Sequence, residues 1–180
     1  MSTDINLDVK IKTKHLLLVP VSLDYAEEIF REFTPEITTF MYPKPATKIE
    51  DSINFITTAI QERQAGTDLN VAILSKQTGE YLGGAGLHKI HTDTPELGIW
   101  IKKTAHGCGY GKEAILGLKE WADQNLTYKY LTYPVAKENI PSKRISEALG
   151  GIVAKEYDKT NLSGNTHFML EYHIYPPQEI

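Results

Sequence analysis

Thiols are nearly missing from this chain. Cys108 is the single cysteine in 180 residues, which excludes an internal disulfide and any cysteine-cluster zinc site. No stretch is long and apolar enough to span a bilayer. The first residues lack the charged-then-apolar pattern of a signal sequence, so a cytoplasmic protein is expected. Neither sign of charge is in large excess: 19 Lys and Arg against 23 Asp and Glu leave a net charge of −4. Without clustered basic residues a nucleic-acid surface is not expected, and a mildly acidic balance suits a cationic substrate instead. His88 and His91 flank a hairpin with no Asp or Glu at metal spacing, so no metal site is expected. Repeats, linkers and low-complexity tracts are also lacking, and the length suits one domain, 1–180, with a substantial core.

What the chain does have is a succession of short apolar strands and amphipathic helices. Lys10 to Val21 holds the run Leu16-Leu17-Leu18-Val19-Pro20-Val21, which reads as a first strand buried on both sides. Ser22 suits a helix cap, with Asp24 in the first turn and Ala26, Ile29, Phe30 and Phe33 as one apolar stripe. Thr34 to Ala46 carries three prolines with Phe40, Met41 and Tyr42, an aromatic loop that either plugs the core or walls a substrate pocket. Thr47-Lys48-Ile49-Glu50 fits a capping box, and Ile49, Ile53, Ile56 and Ile60 follow on one helical face until Gly66.

Strands at Leu69–Ser75 and Glu80–His88 flank the hairpin turn Lys76-Gln77-Thr78-Gly79. The second contains Gly83-Gly84-Ala85-Gly86, the mark of a bulge or a close backbone approach. A further hairpin turn, Thr92-Asp93-Thr94-Pro95, leads into a strand over Glu96–Lys103, where Lys102-Lys103 reads as a solvated end. Ala114, Ile115, Leu118, Trp121 and Ala122 predict a half-buried helix. A strand at Tyr130–Val135, in which Tyr133 reads as an ordinary strand residue, a short helix from Pro141 to Leu149 ended by Gly150-Gly151, and a last strand at His167–Ile174 complete the chain. This order predicts a mixed sheet in an α/β or α+β domain.

The sharpest signal lies between the strand and the half-buried helix, at His106-Gly107-Cys108-Gly109-Tyr110-Gly111-Lys112-Glu113. Glycines let a ligand approach the main chain, and the unpaired N–H groups of a first helical turn point at that ligand with the helix dipole behind them. An anion belongs there, most naturally a phosphate. Two common nucleotide loops fail. The Walker pattern needs Gly where His106 stands and Ser or Thr where Glu113 stands, and the dinucleotide fingerprint needs a third Gly where Lys112 stands.

The stretch His106-Gly107-Cys108-Gly109-Tyr110-Gly111 instead resembles the Q/R-x-x-G-x-G/A loop of the GNAT acetyltransferases. The longer string through Ala114 is similar to the G-x-G-Y-A-T-E-A form of the Rim-type ribosomal-protein acetyltransferases. Thr13-Lys14-His15-Leu16-Leu17-Leu18 resembles the T-x-R-L-x-L opening of that group, and Glu36-Ile37-Thr38-Thr39-Phe40-Met41 its loop after the first helix. Glu96-Leu97-Gly98-Ile99-Trp100 resembles its E-I-G-Y strand, and Asn139-Ile140-Pro141-Ser142 its N-x-x-S turn. The likeness covers nearly the whole chain.

The resemblance implies a mostly antiparallel sheet with two splayed parallel strands, and an enzyme that moves an acetyl group from acetyl-CoA to a primary amine. It implies that His106, Gly107, Cys108, Gly109, Tyr110, Gly111 and Lys112 hold the donor's diphosphate. Main-chain groups of Ile99, Trp100 and Ile101 would pair with its pantetheine arm, with Asn139 hydrogen-bonding that arm. The splay would also tolerate Pro134, which has no N–H for a ladder bond. Glu96, on one side of its strand with Gly98 and Trp100, is the candidate base for an amine that is mostly protonated at pH 7; otherwise it is a strand-end carboxylate or a partner for Lys102. Ser142 inherits the hydrogen bond to the departing thiolate, or else serves as a helix-start hydroxyl. The Cys108 thiol near a helix N-terminus offers a covalent route, although enzymes of this kind transfer directly between bound substrates. Two departures, His106 for Gln or Arg and Ser146 for the Tyr many members carry, leave open a CoA-binding module without turnover. The acceptor is expected to be a protein N-terminal amine, with a small amine or aminoglycoside-like drug as the alternative. Monomer and homodimer both remain open.

Overall fold

Lys10 to Val21 does not make one strand. The structure, a computed structural model that describes residues 5–178, divides it into β1 (Ile11–Lys12) and β2 (Leu16–Pro20), with Thr13 N donating to Leu16 O across the turn. The polar Lys14 and His15 interrupt the apolar run there. β2 is covered on both faces, as its composition predicts: Leu16 and Leu18 are fully buried on one side, and Leu17 and Val19 pack on the other.

The remaining strands are β3 (Leu69–Ser75), β4 (Tyr81–His88), β5 (Glu96–Ile101), β6 (Leu131–Ala136), β7 (Ile152–Thr160) and β8 (Thr166–Ile174). They form one sheet of order β1-β2-β3-β4-β5-β6-β8-β7, antiparallel throughout except for β5 beside β6. The helices are α1 (Ala26–Glu32), α2 (Ile49–Gln64), α3 (Tyr110–Asn125) and α4 (Ile140–Ala148). α1 and α2 cover one face through Ala26, Ile29, Ile56 and Ala59 against Ala72, Leu74 and Tyr81. α3 covers the other through Ala114, Ile115, Leu118 and Ala122 against Leu16, Leu18, Ile73, Leu87 and Leu131. Each fully buried Leu or Ile there stabilises the fold by about 1.5–3 kcal/mol. No helix of the described residues is long and apolar enough to cross a membrane.

Four local expectations change. Ser22 caps nothing through its side chain; it precedes a 3-10 turn over Leu23–Tyr25, and α1 starts only at Ala26. The α2 cap sits one residue later than the capping box read from the sequence: Lys48 is the N-cap, and Asp51 accepts from Thr47 N (2.8 Å) and Thr47 Oγ1 (2.9 Å). These hydrogen bonds hold the Asp51 carboxyl below its usual range. Ile53 then points outward, and Ser52 takes a core-facing place. Lys102 is no solvated strand end but is buried against Glu80, 2.6 Å away, while Lys103 pairs with Glu36. β7 has no counterpart in the sequence pattern, because an edge strand whose residues all face solvent except half-buried Tyr157 shows no alternation. Its Lys155, Glu156, Asp158 and Lys159 protect that edge from pairing with another chain.

The glycine-rich β4 shows both features its composition suggests. The β3–β4 register shifts between Ile73 and Leu74. A Cβ on Gly84 would lie 2.7 Å from the Trp100 indole nitrogen, and one on Gly86 2.5 Å from His88 Nε2, so two aromatic rings rest on bare backbone.

α3 is anchored at its first turn. Glu113 accepts from Thr13 Oγ1, from His15 N (2.6 Å) and from His15 Nδ1 (2.8 Å), joining the helix start to the β1–β2 turn. Burial opposes the charge on Glu113, but these hydrogen bonds outweigh it and hold its carboxyl below the usual range. A carboxylate with a depressed folded-state pKa adds stability above its unfolded value near 4.3, and loses it as the pH falls through the folded value. Glu113→Gln is therefore expected to lower stability by about 1–2 kcal/mol at pH 7. In urea denaturation the gap between variant and parent should narrow as the pH falls below the usual carboxylate range.

Candidate active site

β5 leads through a 3-10 turn over Lys103–Ala105 into residues 106–109, and α3 begins at Tyr110. Gly107 and Gly109 both have positive φ, +77° and +78°, with nothing within 4 Å of where a Cβ would sit. The loop is open to solvent, and the N–H groups of Gly107 to Lys112 find no acceptor among the described residues. That is an anion cradle at a helix N-terminus. His106 behaves differently from a phosphate donor in the Gln or Arg position: its Nε2 hydrogen-bonds Ile101 O at 2.7 Å and folds the ring back onto the strand end. Cys108 is exposed, its thiol 3.7 Å from His106 O. Lys112 is exposed at the rim, and Tyr110 packs against the core below.

Beside this loop the sheet is open. β5 and β6 share one registered pair, Glu96↔Thr132, where Thr132 N donates to Pro95 O at 2.8 Å. The next residue of β6 whose nitrogen faces the same way is Pro134, which has no hydrogen to give. From that point toward Ile101 and Ala136 the two strands part into a wedge. Alternation along β5 decides which main-chain groups line it. Lys102 N donates to Leu82 O on β4 while Pro95 O accepts from β6. The polar groups of Leu97, Ile99 and Ile101 therefore face the wedge, and those of Gly98 and Trp100 face β4. Ile99 and the N–H of Ile101 are available to a ligand. Trp100 is a correction: its main chain is committed to β4, and only its indole reaches the site, packed against Phe33 and Tyr81.

A cleft of about 810 Å³ passes through the wedge. On the α1/α2 side it is lined by Phe33, Phe40, Tyr42, Phe55 and Trp100, with Glu96 and Asp51 as its carboxylates. The loop over residues 34–46 is thus a wall of the cleft. The β7–β8 hairpin holds it: Asn161 Nδ2 donates to Met41 O, Leu162 N donates to Tyr42 O, and Lys159 lies over the Tyr42 ring. Ser52 Oγ and His167 Nε2 line the same cleft, buried and with no hydrogen-bond partner among the described residues. Glu96 is one-third exposed and pairs with Lys89, 3.3 Å away, rather than with Lys102. Directly across from it in the β4–β5 register stands His88, whose Nδ1 lies 3.0 Å from Asp68 Oδ1.

On the α3/α4 side, Asn139 is the N-cap of α4, its Oδ1 accepting from Ser142 N. Ser142 lines the cleft, and its Oγ lies 2.7 Å from the hydroxyl of Tyr133. Tyr133 is almost wholly buried, and burial pushes its hydroxyl up to about 12 against the opposing hydrogen bond with Ser142. It stays neutral at any physiological pH. Ser146 is fully buried and donates to Lys143 O, outside the cleft. Tyr133 and His88 are the residues a strand pattern hides, because each gains its role from a partner on another element.

The sequence profile of the acetyltransferase (GNAT) domain matches residues 15–152. The chain belongs to the GNAT family. It is 27% identical over 143 residues to the uncharacterized N-acetyltransferase p20 of Bacillus licheniformis, covering 76% of this chain and 79% of that protein. Among solved structures it resembles a RimL ribosomal-protein alpha-N-acetyltransferase in complex with coenzyme A, with a TM-score of 0.84 at 13% identity, covering 93% and 98% of the two chains. It also resembles the microcin self-immunity acetyltransferase MccE in complex with acetyl-CoA and AMP, with a TM-score of 0.78 at 22% identity, covering 90% and 93%.

As a GNAT enzyme the protein is an acetyl-CoA-dependent acyltransferase, and its residues suit that donor. The bare loop has the free amides a diphosphate would need, and the unpaired edge of β5 offers hydrogen bonds of the kind an added strand would make. An L-residue at the Gly109 φ costs about 1–2 kcal/mol. Gly109→Ala is expected to weaken acetyl-CoA binding about tenfold by calorimetry, with an unchanged circular dichroism spectrum.

Proposed function

We propose that the protein acetylates a primary amine, with a protein N-terminal amine as acceptor, acting as one domain over 1–180 in the cytoplasm. The observation that carries the reading is the wedge. An arm laid along β5 from the loop of residues 106–112 brings its thioester end into a cleft that opens, on the far face of the sheet, into a wide chamber. That chamber is large enough for a peptide terminus, and Glu96 and Asp51 supply negative charge for an ammonium. The likeness to the RimL enzyme, whose name gives a ribosomal-protein α-amine as acceptor, supports the same choice. A small-molecule amine is the second reading, favoured by the aromatic wall of Phe40, Tyr42, Phe55 and Trp100, on which a flat ring can stack.

Roles follow from position. The amides of residues 107–112 grip the diphosphate, with His106 shaping the loop through Ile101. Asn139 fixes the start of α4 and turns its amide nitrogen to the pantetheine arm. The N–H of Ile99 polarises the thioester carbonyl. Glu96 draws the ammonium to the acceptor side and is its candidate proton acceptor. Ser142 donates to the departing thiolate; serine is too weak an acid to protonate it outright. The buried phenol of Tyr133 shares a hydrogen bond with Ser142 Oγ; with the phenol as donor, the serine proton is free to point outward and is strengthened as a donor.

Thiol release measured with acetyl-CoA and a mixed panel tests the reading. CoA is expected to appear with peptides bearing a free α-amine, and not with N-blocked peptides or with no acceptor. Release only with small amines would select the second reading, while tight binding without any release would leave a non-catalytic module. Ser142→Ala is expected to lower kcat by ten- to a hundredfold with little change in the KM for acetyl-CoA. Tyr133→Phe should lower kcat three- to tenfold, and the double variant no more than Ser142→Ala alone, because the phenol acts through the serine.

A further inference from the structure

Glu96 has a rival for the proton. His88 and Glu96 face each other across β4 and β5, but the two side chains are held differently. Glu96 leans on Lys89, an exposed ammonium on the following turn. His88 is locked between elements: its Nδ1 is tied to Asp68 Oδ1 at 3.0 Å, just ahead of β3, and its ring lies over Gly86 and Gly98. What makes room for the ring is an opposed glycine pair, Gly86↔Gly98. A Cβ on Gly86 would sit 2.5 Å from His88 Nε2 and 3.1 Å from Asn70 Oδ1, and one on Gly98 would sit 3.5 Å from the same Nε2.

The tautomer follows from that bond. The Asp68 carboxylate can only accept, so Nδ1 keeps the proton and donates to it, and Nε2 carries the lone pair. That lone pair lies over Gly98, one strand away from the wedge, on the face from which the acceptor enters. We propose that His88, oriented by Asp68, is the proton acceptor for the attacking amine, and that Glu96 holds the ammonium for it. The proposal deepens the acetyl-transfer reading of this site and rests on it.

The protons balance without a further reactant. The bound ammonium gives one proton to His88 Nε2, directly or through one water, and becomes a free amine. Its nitrogen attacks the thioester carbonyl; the C–N bond forms and the C–S bond breaks. The second nitrogen proton passes to the thiolate held by Ser142, and the imidazolium returns its proton to solvent. The charged groups around the ring are Asp68 ahead of β3, Glu62 on α2, Glu96 on β5 and Lys89 on the following turn. Burial and the neighbouring Asp68 raise Glu62 above the usual carboxylate range, in keeping with carboxylates gathered on this side of the ring.

The test is the pH dependence of kcat/KM with two acceptors, an α-amine peptide and a peptide whose only free amine is a lysine side chain. In the parent enzyme the ascending limb is expected at the same pH with both, because it reports a group of the enzyme and not the acceptor. His88→Gln should lower kcat/KM at pH 7 by a hundredfold or more and move the limb to the ionisation of whichever amine is used. Asp68→Asn should cost about tenfold alone and nothing further in the His88→Gln background. Acetyl-CoA must raise the melting temperature of each variant as it does the parent's, which confirms an intact donor site. If the parent turns over and His88→Gln keeps its limb, the histidine assignment is overturned and the acetyl-transfer reading stands. If the parent acetylates no amine at all, that reading falls first.

Discussion

The rest of the structure depends on two neighbouring strands that refuse to pair. β5 and β6 meet at Glu96↔Thr132 and then separate, although both lie in the middle of the sheet. An unmade ladder exposes polar groups that would each cost about 1–3 kcal/mol if left buried and unsatisfied. The chain accepts this by making closure impossible: Pro134 occupies the next position whose N–H would have bridged the gap. The open edge is the strip along which, in the proposed reading, a chain-like ligand would dock. Its lower end is fixed by the Thr132–Pro95 bond, and its upper end by α3 and the amides of residues 107–112.

Because the opening passes through the sheet, the two halves of the proposed reaction would lie on opposite faces. Ile99 and Ile101 pack toward α3, with Tyr133 and Ser142 nearby, while Glu96, Gly98 and Trp100 turn toward α1 and α2. In the proposed course an amine approaching from one face would push the thiolate out toward the other, so proton acceptor and thiolate donor would not compete for space. The glycines of β4 and β5 serve the same geometry. Gly84 carries the Trp100 indole and the pair Gly86↔Gly98 carries the His88 imidazole, so the floor of the acceptor chamber is built of rings lying flat on backbone.

How much of this was legible beforehand depended on range. The loop at residues 106–112, the half-buried helix after it and the order of most elements are local patterns, and the sequence carried them. The edge strand β7 is not local: it exists because β8 offers an edge, and its exposed, charged residues leave no periodicity to read. Asp51 takes the capping place expected of Glu50 because the α2 cap shifted by one residue, and Ser52 rather than Ile53 faces the core beside Ile56 and Ala59, while Ile49, Ile56 and Ile60 keep the face their spacing predicts. Trp100 illustrates a subtler limit. Its membership of the cofactor strand was readable, but which edge its main chain faces depends on a hydrogen bond between Thr132 and Pro95. His88 and Tyr133 looked like strand residues because Asp68 and Ser142, the partners that give them chemistry, are twenty and nine positions away.

The donor and acceptor sides are also built from different parts of the chain, and this bears on how such an enzyme changes its substrate. The donor side uses one contiguous block, β5 to α4, whose parts fix one another through short connections. The acceptor chamber is assembled from the loop of residues 34–46, the start of α2 and the tip of the β7–β8 hairpin, three segments joined by few bonds: Asn161 and Leu162 to the loop main chain, and Lys159 over Tyr42. Two of its polar atoms, Ser52 Oγ and His167 Nε2, are buried without partners among the described residues, a cost that a folded chain ordinarily avoids unless a ligand meets it. Substitutions in those three segments can reshape the chamber while leaving the wedge, the loop and the ring-bearing glycines untouched. Acceptor choice is thereby separated physically from the chemistry of transfer.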